Sequence, residues 1–280
     1  MALTTAFAGV GNVLVTDGES AVLVDGFFTR PSVPRLLLGR LRPSRRRITE
    51  ALERLGVERL DAVLVSHSHF DHALDSPVVA QLTGAELAGS ASTRMIAEGY
   101  GLGRLPFREL HSGAPFAAGA FTVTPLRALH SPGDRFPGAI TAPLTLPAAM
   151  KDFRTGGCFS FHIAHPEGDV VVHPSANFIP GAFEGYAADV VYLGAGAAGT
   201  QPAEWLREYW QETVGSLGPR AVRPVHWDAF WRPLSRPLRP LPHPADRLDV
   251  TLREFGRLAG AQVDLRLPQR WWHEAVAPGR

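Results

Sequence analysis

The chain has 280 residues, of which 45% are hydrophobic and 20% are charged, and its formal net charge at neutral pH is +1. This composition is typical of a globular protein, because disordered chains have lower hydrophobicity and a larger net charge. The balanced charge argues against a nucleic-acid-binding protein, which usually carries a clustered basic excess. The length is ordinary for one α/β domain, so we expect a single domain over residues 1–280.

The cysteine content and the N-terminal sequence indicate the cellular compartment of the protein. Cys158 is the single cysteine, which excludes an intrachain disulfide and fits a reducing compartment. Residues 1–7 lack a basic segment followed by an apolar one, so they do not resemble a signal peptide. No apolar run approaches the roughly 20 residues of a membrane-spanning helix. These features predict a cytoplasmic protein without a membrane or nucleic-acid partner, and they leave its oligomeric state open.

Strands and helices alternate in the first half of the chain, as in an α/β layer. Apolar runs on both sides of the turn at residues 16–19 predict a hairpin that ends at Asp25. We expect helices over residues 48–55, 77–82 and 92–98 and strands over residues 62–65 and 85–89. The basic cluster of Arg45, Arg46 and Arg47 is predicted to be a solvated approach to the first of these helices, and a surface-anion site is the alternative.

One stretch directly after the apolar strand carries four metal-ligand types within six positions. These are His67, His69, Asp71 and His72. Zinc and similar divalent cations take neutral imidazole nitrogen and carboxylate oxygen, and a short loop at a strand end turns such groups toward one point. The spacing therefore predicts a metal site, and a solvated histidine-rich turn is the alternative.

Further histidines end predicted strands in the second half. Residues 121–129 lead to His130, and residues 221–225 lead to His226. Other predicted elements are a hairpin over residues 159–173, a strand over 189–194, helices over 202–215 and 246–258, and an extended crossing over 233–244. From the residues alone, a histidine at a strand end is an ordinary polar residue at least as often as a ligand.

The H-x-H-x-D-H pattern at residues 67–72 resembles the signature of the metallo-β-lactamase superfamily, and Asp25, His130 and His226 follow in the expected order. The resemblance covers nearly the whole chain. It implies an α/β fold, α+β in some schemes, arranged as a four-layer αββα sandwich with a metal centre between the sheets. It also implies hydrolysis by metal-activated water.

The same resemblance implies a role for each matching residue. The first metal would be held by His67, His69 and His130, and the second by Asp71, His72 and His226. Without a second metal, Asp71 would orient or deprotonate the water, so it is the first catalytic candidate. Asp25 would accept a hydrogen bond from one of the ligands, and a plain turn residue is the alternative.

The chain departs from the family where an Asp usually bridges the two metals. Pro174-Ser175 stands in place of the expected Gly-Asp pair. The Ser175 hydroxyl cannot bridge as a carboxylate does, but it can face the metal or orient a water, which makes it a catalytic candidate. Without that anion, the repulsion between two dications is less compensated, so we expect one Zn²⁺ or a weakly held second. His173 is an alternative ligand, although a strand-end hydrogen-bonding role fits it better.

Aromatic and cationic residues near the site predict an apolar substrate pocket. The candidates are Phe27, Phe28, Trp227, Phe230 and Arg154. Core packing of the two adjacent phenylalanines is an equal alternative. Arg154 belongs to a long Pro-containing stretch, residues 134–157, which is either a substrate-binding lid or a solvated loop.

These features together predict a metal-dependent hydrolase of a small ester, lactone or thioester. Zn²⁺ is the expected cofactor, and another divalent transition metal is the alternative. A phosphodiesterase of the same superfamily and a non-catalytic metal- or ligand-binding relative are the alternative functions. The missing bridging Asp motivates the second of these.

Overall fold

The computed structural model describes residues 2–277, so the outermost residues of the predicted domain lie outside it. The strands of the first sheet are β1 (Thr4–Phe7), β2 (Val13–Thr16), β3 (Ala21–Val24), β4 (Ala62–Leu64), β5 (Glu86–Gly89), β6 (Phe107–Glu109) and the late β14 (His273–Ala275). Those of the second are β7 (Phe116–Ala118), β8 (Phe121–Arg127), β9 (Phe159–His165), β10 (Gly168–His173), β11 (Val190–Gly194), β12 (Ala221–Val225) and β13 (Asp264–Leu265).

Each sheet is half antiparallel and half parallel. The first has the order β14-β1-β2-β3-β4-β5-β6, with antiparallel pairing from β14 to β3 and parallel pairing from β3 to β6. The second has the order β13-β12-β11-β10-β9-β8-β7, parallel from β13 to β10 and antiparallel from β10 to β7. Because β14 pairs with β1, the two ends of the described chain meet in one sheet, which supports the single domain that we propose.

Helices cover the outer face of each sheet. They are α1 (Val33–Leu38), α2 (Arg45–Leu55), α3 (Phe70–Ala73), α4 (Ser76–Thr83), α5 (Ala91–Gly99), α6 (Ala203–Trp210) and α7 (Leu248–Ala259). A π-helical turn, Gln211–Gly215, extends α6, and short 3-10 turns occur at Met150–Asp152 and Ala198–Thr200. Four layers result, and the predicted αββα sandwich is confirmed.

The buried residues divide into three clusters that match these layers. Alternate strand residues such as Val22 and Val24 meet Phe161 and Val172 between the sheets. The opposite faces pack against α2, α4 and α5 on one side and against α6 and α7 on the other. Every residue of β4 is buried, because both faces of this central strand are covered.

Several local predictions are corrected. The first predicted strand is two strands, and residues 8–12 between them form a loop with positive φ at Val10. Helix α2 begins at Arg45 and not near residue 48. The three arginines form the first turn of the helix and do not precede it. Arg45 and Arg46 are exposed to solvent, as predicted, whereas Arg47 is partly buried against backbone carbonyls of the segment after β3.

Among residues 2–277 there is no helix of the length and apolarity that a bilayer crossing needs. The cytoplasmic location stays a prediction.

Candidate metal centre

The H-x-H-x-D-H motif begins where β4 ends and continues into α3. His67 and His69 lie on the connecting loop, whereas Asp71 and His72 lie on the helical turn Phe70–Ala73. Side chains of an extended loop and of a helix project in different directions. The motif therefore supplies ligand-type side chains to two neighbouring clusters.

The first cluster contains His67, His69 and His130, each with one ring nitrogen within 4.8 Å of the others. His130 comes from the segment after β8, and its Nδ1 lies 2.8 Å from the carbonyl oxygen of Ser131. Burial and the neighbouring imidazoles lower the pKa of His67 well below its usual value and that of His130 to about 4. These rings are therefore neutral at physiological pH, which is the form that binds a metal.

The second cluster contains Asp71, His72 and His226. Asp71 Oδ2 lies 3.3 Å from His226 Nε2 and 3.8 Å from His72 Nε2, and the two Nε2 atoms are 3.0 Å apart. Burial alone would raise the pKa of Asp71, but the facing imidazoles of His72 and His226 lower it well below its usual value. Asp71 is therefore a carboxylate throughout the physiological range.

Asp25 lies beneath the second cluster and fixes the orientation of one ring. Its Oδ2 is 2.6 Å from His72 Nδ1, and its Oδ1 accepts the backbone N–H of Ser66 at 2.9 Å. Burial would lower the pKa of His72, but the carboxylates of Asp25 and Asp71 raise it. With Nδ1–H donated to Asp25, the Nε2 lone pair of His72 faces the cluster.

The loop after β12 places His226 by an unusual backbone conformation. His226 has φ of 59°, its N–H donates to the Val10 carbonyl at 2.8 Å, and a Cβ on Gly196 would lie 2.5 Å from its carbonyl oxygen. Residue 196 must therefore be glycine for this loop to approach. Tertiary contacts hold a conformation that a histidine rarely adopts.

The donor sets fit a divalent metal. A tetrahedral zinc site with bonds of about 2.0–2.1 Å has ligand-to-ligand edges of roughly 3.3–3.4 Å. The three distances in the second cluster, 3.0, 3.3 and 3.8 Å, bracket that value. In the first cluster, His67 Nε2 is buried without a hydrogen-bond partner, which is costly unless a cation takes its lone pair. The carboxylates of Asp25 and Asp71 beside these imidazoles also favour a bound cation.

His173 is not a member of either cluster, and Ser175 lies two residues further on. The Ser175 side chain is buried, and its hydroxyl accepts a bond from the Cys158 thiol at 3.8 Å. Both ring nitrogens of His173 are already used, since Nδ1 lies 2.5 Å from the Ser160 hydroxyl and Nε2 lies 2.6 Å from the Asn177 carbonyl. The alternative of His173 as a ligand is therefore wrong, and it is the strand-end hydrogen-bonding residue that was preferred.

A pocket of about 410 Å³ opens beside the two clusters. His69, Asp71, His130 and His226 contribute to its inner wall. Its apolar walls come from Phe70, Phe136, Met150, Phe230, Trp231 and Leu241. Arg135 is the single cation among its lining residues. The arrangement suits an apolar group positioned next to a polar reaction centre.

The pocket predictions are partly corrected. Phe230 lines the pocket, but Phe27 and Phe28 are fully buried in the core beneath α2, where Phe27 packs edge-on against Phe70. Trp227 is buried between the sheets. Arg154 is exposed and is not part of the pocket wall. For both phenylalanines, core packing is therefore correct and the prediction that they line the pocket is wrong.

The long segment after His130 contains contacts that the sequence did not reveal. Asp134 Oδ1 lies 3.3 Å from His69 Nε2, the Thr155 hydroxyl lies 3.2 Å from the same nitrogen, and Thr155 also donates to Asp134. The Ser68 N–H donates to the Thr155 carbonyl at 2.8 Å. The segment thus wraps the motif and orients His69.

Residues 8–173 match the family model described as the metallo-β-lactamase superfamily. A protein of Methylobacterium nodulans described as a metal-dependent hydrolase is 30% identical over 217 residues, which cover 76% of this chain and 80% of the relative. One of Anaeromyxobacter dehalogenans with the same description is 26% identical, covering 78% of this chain and 72% of the relative. The chain belongs to the metallo-β-lactamase superfamily, and the prediction of a metallo-hydrolase enzyme of that superfamily is confirmed.

Solved structures agree on the fold. Igni18, a metallo hydrolase of Ignicoccus hospitalis, covers 98% of both chains with a TM-score of 0.61 at 16% identity. CmlA, a diiron β-hydroxylase of Streptomyces venezuelae, has a TM-score of 0.61 at 18% identity and covers 98% of this chain and 54% of its own. At such identities the likeness shows the fold alone, and a hydroxylase among the neighbours means that the fold does not define the reaction.

Proposed function

We propose that this protein is a zinc-dependent hydrolase that cleaves a small ester, lactone or thioester with an apolar acyl group. The observation that carries the proposal is the juxtaposition of two three-residue ligand clusters with a pocket of about 410 Å³ whose walls are mainly apolar. A bound divalent metal activates water and polarises the scissile carbonyl group. The relatives described as metal-dependent hydrolases support this class of reaction.

The first cluster is proposed to hold the tighter metal. His67, His69 and His130 are neutral imidazoles, and they leave a fourth position open, which is typical of catalytic rather than structural zinc. Asp134 and Thr155 hold the His69 ring from its far side. A held ring keeps its ligand nitrogen in place without further ordering cost when the metal enters.

Asp71 is proposed to be the proton acceptor or a ligand of a second metal. One carboxylate oxygen faces His72 and His226, so the other is available to accept a hydrogen bond from water in the pocket. Its depressed pKa keeps it ionised at the pH at which a hydrolase works. A carboxylate within hydrogen-bond reach of water orients it and accepts its proton.

The substrate class follows from the pocket walls. Phe136, Met150 and Phe230 give an apolar surface beside the ligand clusters, and such a surface binds the acyl part of a substrate by excluding water. Arg135 at the rim is exposed and suits a single anionic substituent. A small acyl compound fits these walls better than a polymeric phosphodiester.

The proposal is tested with purified protein by elemental analysis together with a hydrolysis panel of esters, lactones, thioesters and phosphodiesters. We expect zinc in the wild type, its loss in His67→Ala, and its retention in His111→Ala, a change of an exposed histidine outside the clusters. Asp71→Asn should keep the first metal but lower kcat by about 10²–10⁴-fold, as expected for loss of a general base.

Three results would contradict the proposal. Equal metal content in wild type and His67→Ala would remove the first cluster from consideration. Stoichiometric iron with oxidation instead of hydrolysis would assign another reaction, and turnover of phosphodiesters alone would assign another substrate. Metal binding without turnover of any compound would favour a non-catalytic protein.

A further inference from the structure

A second cavity, of about 570 Å³, has Trp231 in its wall, as does the pocket beside the ligand clusters. Five arginines line it: Arg30, Arg35, Arg42, Arg46 and Arg47. None of its lining residues is acidic. We call it the arginine cavity. The concentration of one charge sign in a concave surface raises the local potential for an anion.

Some of this charge is compensated within the protein. Arg30 is paired with Asp228 at 2.6 Å, and Arg46 is paired with Glu50 one turn along α2 at 2.5 Å. Arg47 donates to the Thr29 and Arg30 carbonyls, which satisfies hydrogen bonds but leaves its charge.

Arg35 and Arg42 are exposed, and within residues 2–277 neither guanidinium makes a hydrogen bond or ion pair. The cavity therefore keeps a positive charge of at least two guanidinium groups that no protein carboxylate neutralises.

The start of α2 adds to this imbalance. Its first turn contains Arg45, Arg46 and Arg47 and no acidic residue, and Ser44 at its N-cap makes no side-chain capping bond. A helix N-terminus carries a partial positive charge, so basic residues there are unfavourable unless an anion lies close by. Residues 26–49 contain no Asp or Glu, so this part of the chain supplies no such anion. A phosphate bound near Ser44 would relieve this repulsion.

The geometry points to the arginine cavity as the binding site for the phosphate groups of the substrate, whose acyl end reaches the ligand clusters. This inference rests on the proposed hydrolase function and narrows its substrate to a phosphate-bearing thioester or ester. Trp231 lines both cavities, and its ring centroid lies 4.9 Å from that of Phe230, which lies 6.4 Å from that of His226. The two cavities therefore have Trp231 as a common wall, and a substrate that lies across this ring would contact both.

Phosphate fits this cavity better than the other anions that arginine binds. A carboxylate is satisfied by one guanidinium fork, whereas phosphate offers more acceptor oxygens and more charge, which match several arginines. Leu37 and Leu38 in α1 are 69% and 91% exposed beside this region, a combination that also occurs in membrane-binding segments. Helix α1 has only six residues, however, and the arginines line a concavity that has Trp231 in common with the substrate pocket, which favours a small molecule.

The binding test is calorimetric titration of the metal-loaded protein with inorganic pyrophosphate. We expect saturable binding that weakens about tenfold or more in the double variant Arg35→Ala/Arg42→Ala, because two charged hydrogen-bond donors are lost. The control is Arg94→Ala/Arg253→Ala, which removes two exposed arginines from i,i+4 ion pairs elsewhere and should leave the affinity unchanged. Absence of pyrophosphate binding to the wild type would overturn the assignment. Equal affinity of the wild type and Arg35→Ala/Arg42→Ala would also overturn it, because pyrophosphate would then bind at the metal centre.

The turnover test uses one acyl group on two carriers, coenzyme A and N-acetylcysteamine, of which only the first carries phosphates. In Arg35→Ala/Arg42→Ala the KM of the coenzyme A thioester should rise about tenfold at unchanged kcat, with no change for the N-acetylcysteamine thioester. Equal changes for both thioesters would overturn the assignment. If neither these thioesters nor any ester or lactone of the hydrolysis panel is cleaved, the proposed function fails, but the pyrophosphate titration still decides the role of the cavity.

A third measurement separates a soluble phosphate compound from a lipid surface. The wild type is sedimented with vesicles of phosphatidylglycerol and phosphatidylcholine, and we expect no more binding than to phosphatidylcholine alone. Vesicle binding that depends on Arg35 and Arg42, without pyrophosphate binding, would overturn the assignment in favour of a membrane surface.

Discussion

Arg30 and Asp228 form an ion pair of 2.6 Å in which both side chains are fully buried. Asp228 also accepts the N–H of Val10 at 2.8 Å, and the Val10 carbonyl in turn accepts the N–H of His226 at 2.8 Å. Gly9 leaves the room for this arrangement, since a Cβ there would lie 2.1 Å from the Arg30 guanidinium. The pair thus ties three loops together at the point where His226 is presented.

Arg30→Met should lower the free energy of unfolding by about 3–5 kcal/mol, because it leaves the Asp228 carboxylate buried without its counter-ion. It should also weaken metal binding by the second cluster, since the loop that carries His226 loses its anchor. Urea unfolding of metal-free protein and a metal titration measure the two effects. The control is Arg46→Ala, which breaks an exposed ion pair and should cost less than about 1 kcal/mol. Equal losses in both variants would contradict the role given to the buried pair.

Asp25→Asn should weaken the second cluster more than the first. An amide does not stabilise the His72 tautomer with Nδ1–H as a carboxylate does, and loss of such a partner typically lowers metal affinity about 10–100-fold. Asparagine tolerates the positive φ of 57° at this position, so the backbone should be kept. Titration with a chromophoric metal chelator in competition reports each affinity. Unchanged affinity for a second metal would show that His72 does not need Asp25.

The two clusters of ligand-type side chains and the sandwich could be predicted because both leave local signals in the sequence. The clusters follow from a dense motif after an apolar strand, and the sandwich follows from strand patterns of known spacing. The sequence did not decide whether Phe27 and Phe28 pack in the core or line a pocket, because an aromatic pair after a strand has the same sequence pattern in both cases. Asp134 contacts His69 across 65 positions of sequence, and Arg30 contacts Asp228 across 198, and no periodicity records such pairs. The arginine cavity likewise needed the fold, which brings Trp231 to Arg35 and Arg42.

His173 should contribute acid sensitivity to the fold. Burial lowers its pKa to about 4, whereas the unfolded chain binds the proton near 6.5, so stability from this residue is lost as pH falls between those values. The maximum contribution is about 3 kcal/mol, at about 1.4 kcal/mol for each pH unit of difference. His173→Gln should therefore show a shallower fall in urea stability from pH 7 to pH 4, whereas His111→Gln, at an exposed position, should match the wild type. The metal content of His173→Gln should be that of the wild type, and a loss of one metal would restore this residue as a ligand.

Ser175→Asp tests the departure from the family at the bridging position. The wild type should bind one metal tightly at modest concentration, because it lacks the bridging carboxylate that would compensate the repulsion between two dications. Aspartate at residue 175 should raise the affinity for a second metal, since the family resemblance puts the bridging carboxylate at this position and an added negative charge near two dications is favourable at short range.

The same change should destabilise the metal-free protein. Position 175 is buried, its hydroxyl accepts a bond from Cys158, and a new carboxylate there would lie next to a thiol that already experiences the charges of Asp25 and Asp134. Burying a further uncompensated charge costs several kcal/mol, or raises the pKa of the new group until it is neutral. Ser175→Asn is the matched control, because it has the same shape without the charge. We therefore expect opposite shifts of Tm in metal-free and metal-loaded Ser175→Asp, and no such divergence in Ser175→Asn. Two equally tight metals in the wild type, with no gain from aspartate, would mean that Asp71 alone holds the pair together.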